Sequence, residues 1–160
     1  MLAYSIGKKT TVKTNKRDSI MDIIVEHVEV WAAPIKDQVG GLSRTLRGLK
    51  EAGADLDFVI ARRTPEDPGK GVVFVAPLRG DREIAAAANL GFNVTRSIHT
   101  VRVDGDNRPG LAADVTKILA DAGITLRGFS AAVIGTRFIF YIGFDSKDDA
   151  KKAVELLQQA

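Results

Sequence analysis

The chain has 160 residues, 45% of them hydrophobic and 27% charged, with no cysteine and a formal charge of +3. The apolar fraction is that of a globular protein with a core. The missing thiol excludes disulfides, thiolate metal sites and cysteine nucleophiles, and fits a reducing cytoplasm. The charge is uneven: residues 1–20 hold Lys8, Lys9, Lys13, Lys16 and Arg17 against Asp18, a net +4, so residues 21–160 carry −1 and offer no basic footprint for nucleic acid.

Residues 1–20 are expected to form a basic flexible tail. No apolar run approaches the roughly 18 residues that span a bilayer. Ile23 to Ala32 then reads as a strand, β-branched and alternating at Val28-Glu29-Val30. A polar turn, Asp37 to Gly41, leads into a helix with Leu42, Leu46 and Leu49 at helical spacing. Gly53 suits its C-terminal cap. Strands are expected at Leu56 to Ala61 and Val72 to Ala76, across a loop holding Pro65, Pro68 and Gly69, followed by a helix over Arg82 to Asn89 capped by Gly91. Phe92 to Thr95 is a candidate fourth strand.

The pattern then repeats. A strand at Ile98 to Val103 precedes the turn Asp106-Asn107-Arg108-Pro109-Gly110, and Pro109 suits a first helical position. Leu111, Val115, Ile118 and Ala122 recur at helical spacing up to Gly123. Strands over Ala131 to Ile134 and Phe138 to Phe144 flank a tight Gly135-Thr136 turn. A last helix covers Lys147 to Gln159, with Asp145 and Ser146 as N-caps. Asp37 to Leu42 can be laid on Asp106 to Leu111 at an offset of 69, and Ala52 to Leu56 on Ala122 to Leu126 at 70.

The order β-α-β-β-α-β is that of the ferredoxin-like split βαβ unit, an antiparallel sheet with helices on one face. The fold expected is therefore α+β, two such units over 21–96 and 97–160, the second without an evident fourth strand. No turn residue separates Phe92 from Asp104, so one long strand serving both sheets is inferred, with Thr10 to Val12 as the alternative edge. Phe138 to Ile142 and Val72 to Val75 are apolar at both parities, and a strand with one wet face should alternate. Helices cover one face only; the other repeat or another chain must cover the second, which predicts a homodimer.

These residues resemble a tandem ACT-domain protein of the stand-alone bacterial kind. The resemblance covers roughly 23–160 and rests on Asp106-Asn107-Arg108-Pro109-Gly110-Leu111 and Ala122-Gly123-Ile124; in the first repeat, Gly40 stands where proline is usual. It implies a regulatory protein that binds an amino acid or related metabolite between two ACT units, against the turn into the first helix, and so biases assembly or the binding of a regulated enzyme or regulator. Free N–H groups at that helix start would hold a carboxylate. Asp37, Asp106 and Asn107 would meet the ammonium group, and Gly40, Gly41 and Gly110 would let the backbone approach. Gln38, Val39, Leu42, Arg108, Pro109 and Leu111 complete the two turns, and backbone near Leu56 or Leu126 of a neighbouring unit would close the pocket. By itself, the run from Asp106 to Gly110 is also an ordinary turn and helix start.

Two rival classes find less support. Lys70 to Val75 echoes an RNA-binding strand, and Val30-Trp31 its partner, but Val72 and Pro77 stand where base-stacking aromatics belong. A protein-interaction or regulatory-subunit module without ligand stays open. For an enzyme, His27 and His99 have no serine or carboxylate at a catalytic spacing, and no P-loop or GxGxxG occurs. Asp104-x-Asp106 lacks the rest of a calcium loop, and Arg62-Arg63 reads as two solvated charges. No cofactor or metal is expected.

Overall fold

The computed structural model describes residues 23–160. The expected tail and the alternative edge strand Thr10 to Val12 lie outside them. Eight strands and four helices follow in order: β1 (Ile23–Val28), β2 (Trp31–Lys36), α1 (Gly41–Glu51), β3 (Phe58–Arg63), β4 (Lys70–Ala76), α2 (Gly80–Asn89), β5 (Asn93–Val94), β6 (His99–Asp106), α3 (Leu111–Asp121), β7 (Gly128–Ile134), β8 (Arg137–Phe144) and α4 (Lys147–Gln158).

They build two antiparallel four-stranded sheets, one ordered β3-β4-β2-β5 and the other β1-β6-β8-β7. Both sheets have the ferredoxin-like order. Two expectations are corrected here. Ile23 to Ala32 is not one strand: it breaks at Glu29-Val30, and β1 crosses to the second sheet, pairing Ile23–Val28 with Thr100–Gly105. This supplies the fourth strand that the second unit lacks in its own sequence. Nor is there one long strand from Phe92 to Asp104; β5 and β6 belong to different sheets and Thr95–Ile98 lies between them.

Each sheet buries one face under its helices. Val101, Val103, Phe138, Phe140, Ile142 and Phe144 pack on Leu111, Val115, Leu119, Ala153 and Leu157. The other core gathers Trp31, Ala33, Val73 and Val75 around Leu49 and Ala87. Pro34 is tolerated in β2 because β5 pairs only with Trp31 and Ala32, leaving an open edge where no N–H is needed. Ser146 caps α4 by accepting from the Asp149 N–H at 3.0 Å.

The doubly apolar strands have a physical reason. Phe138, Phe140 and Ile142 face the helices, whereas Tyr141 points the other way and stacks on Phe58 of the first sheet, ring centroids 4.1 Å apart. The two open faces therefore meet at this pair, and Tyr141 is 7% exposed. Cover is incomplete: Ile24 is 56% and Ile134 75% exposed.

Candidate functional site

The two β–α turns superpose at a constant offset of 70, not 69. Gly40 and Gly110 are the N-caps of α1 and α3, both left-handed, with φ of 78° and 81°. Gly40, not Gly41, is therefore the counterpart of Gly110. Val39 stands opposite Pro109, Asp37 opposite Asn107, and Lys36 opposite Asp106. The overlay on Asp and Gly-Leu misses this because it matches letters, whereas the helix start demands positive φ at one position. Pro109 is correspondingly not the first helical residue; α3 begins at Leu111.

In the second unit, the Asn107 backbone N–H donates to the Thr136 carbonyl at 2.8 Å, tying the turn to the β7–β8 hairpin. Arg108 pairs with Asp114 at 2.7 Å. A cavity of about 400 Å³ opens beside the turn, walled by Asn107 to Ala113 and by Ala131, Ala132 and Val133 of β7. β7 is an edge strand, so this cavity adjoins an unpaired sheet edge. The first-turn N–H groups of α3, which helix geometry leaves without intrahelical partners, lie in its wall.

Both carboxylates expected to meet an ammonium group are held by arginines. Asp106 lies 3.4 Å from Arg137, which also bonds Asp104 at 3.0 Å. Asp37 pairs with Arg63 at 3.0 Å. Asp106 is 78% exposed on its side chain, so the pair is accessible to exchange. Both turns are closed by their own backbone, Gly41 N–H donating to Gln38 O at 3.0 Å and Leu111 N–H to Arg108 O at 3.4 Å; in the first unit a Cβ on Gly41 would also collide with the Lys36 carbonyl oxygen. Leu42 and Leu56 pack on the first core and Leu126 on the second; within one chain neither Leu56 nor Leu126 lines the cavity at the Asn107 turn. Arg137, Thr136 and the β7 wall were not foreseen. The one signal for Arg137 was its place just after the Gly135-Thr136 turn, where a hairpin returns it toward the end of β6.

Behind Asp104 the network continues: Arg102 reaches Asp104 at 3.3 Å and Glu26 of β1 at 2.9 Å. Burial works against the Arg102 charge, but Asp104 and Glu26 outweigh it and raise its pKa. Among the described residues, no group of three or more His, Cys, Asp or Glu stands where it could hold a metal ion, and no helix is long and apolar enough to cross a membrane.

Fold and turn together define a pair of ferredoxin-like units. Residues 99–160 match the profile of the ACT domain family. This unit shares the chain with a second unit of the same strand order. Solved structures resemble the whole. Protein BT0572 from Bacteroides thetaiotaomicron superposes with a TM-score of 0.69 at 14% identity, over 82% of this chain and 88% of its own. The ligand-free regulatory subunit of aspartate kinase from Thermus thermophilus gives 0.59 at 17%, over 86% and 95%. Escherichia coli aspartokinase III in complex with aspartate and ADP gives 0.56 at 13%, over 90% of this chain and 34% of that one. At such identities the likeness concerns the fold. No curated protein sequence matches the chain.

Proposed function

We propose that this chain is a regulatory protein that binds an amino acid or related metabolite where ACT units meet, and that it performs no catalysis of its own. Its units divide near residues 96 and 97, with β1 lent across the boundary. The observation that carries the reading is the juxtaposition at the second turn. A helix N-terminus opened by left-handed Gly110 faces a cavity whose far wall is the unpaired β7 edge. The α-carboxylate sits on the first-turn N–H groups of α3. The ammonium group competes with Arg137 for Asp106, beside Asn107. A second copy docking along β7 closes the pocket, supplies backbone near Leu126 or Leu56, and covers Val133 and Ile134. The Asp37 to Leu42 turn offers a weaker equivalent, since its Gly41 N–H is engaged at 3.0 Å where that of Leu111 reaches Arg108 O only at 3.4 Å. Binding across that interface favours the homodimer, and the shifted assembly is what a regulated enzyme or regulator would read.

The test is a thermal-shift screen against the twenty amino acids, each at several millimolar, with aspartate among the first because of the aspartokinase likeness. A ligand at 100 times its Kd stabilises by about 2.7 kcal/mol. A hit that vanishes in Asp106→Ala or Gly110→Ala, and that shifts the sedimentation coefficient toward the dimer, supports the reading. No hit with any amino acid would sink it.

A further inference from the structure

A second cavity, of about 390 Å³, lies between the open faces of the two sheets beside the Phe58–Tyr141 stack, and neither β–α turn contributes to it. Its size is that of a small-molecule pocket, and junctions between domains are where such pockets gather. Its walls are apolar and aromatic, with Phe58, Ile60 and Phe74 from one sheet opposite Tyr141 from the other. Phe58, Ile60 and Phe74 are only partly buried, so an apolar occupant would gain by covering them.

The polar groups are selective. Arg62 and Arg127 line the cavity, and among the described residues no carboxylate does. Arg127 is held by Asp145 at 2.9 Å, while the side chain of Arg62 makes no ion pair or hydrogen bond among the described residues. Thr100 and Ser130 add hydroxyls with no partner there. The floor is bare backbone where Gly128 pairs with Gly143, and a Cβ on Gly128 would meet nothing within 4 Å. The space above Gly128 is kept by its missing side chain, not by a neighbour.

We propose that this intersheet cavity is a second ligand site, fitted to a small aromatic or branched-chain carboxylate that carries no ammonium group. The apolar body lies against Phe58, Phe74 and Tyr141 over the glycine floor, and the carboxylate meets Arg62 at the mouth with Arg127 near by. An ammonium group here would face two guanidinium ions and no acid, and its desolvation would go unmatched. The site therefore discriminates against the zwitterion that the Asn107 turn is suited to hold. Because its walls come from both units, its occupancy bears on how the two sheets sit together.

The test is displacement of 8-anilino-1-naphthalenesulfonate, an aromatic anion whose fluorescence reports binding, by phenylacetate and by phenylalanine. The full chain is compared with Arg62→Gln, Gly128→Val and Gly110→Ala. Saturable binding is expected in the wild type, weakened about tenfold in Arg62→Gln and lost in Gly128→Val, where the valine fills the floor. Phenylacetate should displace the probe and phenylalanine should not, and Gly110→Ala should bind as wild type. Should Gly128→Val fail to fold, Gly128→Ala and the exposed Arg62→Gln carry the same readout. Absence of saturable binding, or equal affinity in Arg62→Gln and the Gly128 variants, overturns the proposal. Loss in Gly110→Ala alone would place the anion at the turn, overturning this site while leaving the amino-acid reading intact.

Discussion

Thr95 donates twice to one acceptor: its amide at 3.1 Å and its hydroxyl at 3.0 Å both reach the carbonyl oxygen of Val30. The hydroxyl also lies 3.2 Å from the Ile98 carbonyl. Val30 and Thr95 sit on the two segments by which the chain passes between sheets, so the bond clamps both crossings side by side. Thr95→Val keeps the amide and the shape and removes the hydroxyl. A loss of about 1 kcal/mol is expected, seen in urea melts.

Two glycines at the helix starts, Gly110 and Gly41, should respond to different physics. Gly110 has open space around it and φ of 81°, so Gly110→Ala should cost about 1–2 kcal/mol from backbone conformation alone. Gly41 lacks a positive φ but abuts the Lys36 carbonyl, so Gly41→Ala must displace backbone. Urea melts should show the second loss to be the larger.

The Phe58–Tyr141 stack should couple the sheets. A double-mutant cycle with Phe58→Leu and Tyr141→Leu is expected to give about 0.5–1.5 kcal/mol of interaction energy. A value near zero would mean that the stack contributes nothing beyond its contact area.

Tyr141 also predicts an alkaline limit. Burial pushes its phenol above the ordinary 10.0, with Arg102 opposing and Asp57, Asp104 and Glu26 adding. The folded chain keeps this proton to higher pH than the unfolded chain does. The stabilisation is whole below 10.0 and is lost as pH rises through the raised folded value. Tyr141→Phe should therefore flatten the fall of stability above about pH 10, measured by denaturation at stepped pH.

Removing residues 1–28 should damage the second unit more than the first. β6 would lose its partner along Thr100–Gly105, and the core beneath would lose Val25. Amide exchange should accelerate in β6 and α4 while β2–β4 amides hold.

Much of this architecture was legible because the signals are local. The glycines before α1 and α3, the Leu42-Leu46-Leu49 spacing and the Ser146 cap each act within a few residues, and they place their elements to within a residue or two. The crossings were illegible for the same reason. Glu29-Val30 and Thr95-Ile98 contain no glycine or proline, and what ends each strand is a partner far away in sequence. The site shows a similar divide. The Asn107 to Leu111 turn was readable, but the engagement of Asp106 by Arg137 and of Asp37 by Arg63 depends on hairpin register. The intersheet cavity depends on two faces meeting, which no single segment records.

Because β1 pairs with β6, residues 31–94 are an insertion within the second unit, not a neighbour that precedes it. A ribosome would release β1 long before the strand it needs, while the inserted unit emerges with all four of its strands contiguous. That unit is expected to close first, and in closing it brings the ends of β1 and β6 together across the Val30–Thr95 clamp, shortening the loop that the outer unit must otherwise close for itself. The inner unit would then act as a template for the outer one. Pulse-labelled exchange during refolding should find β2–β4 protected before β1 and β6.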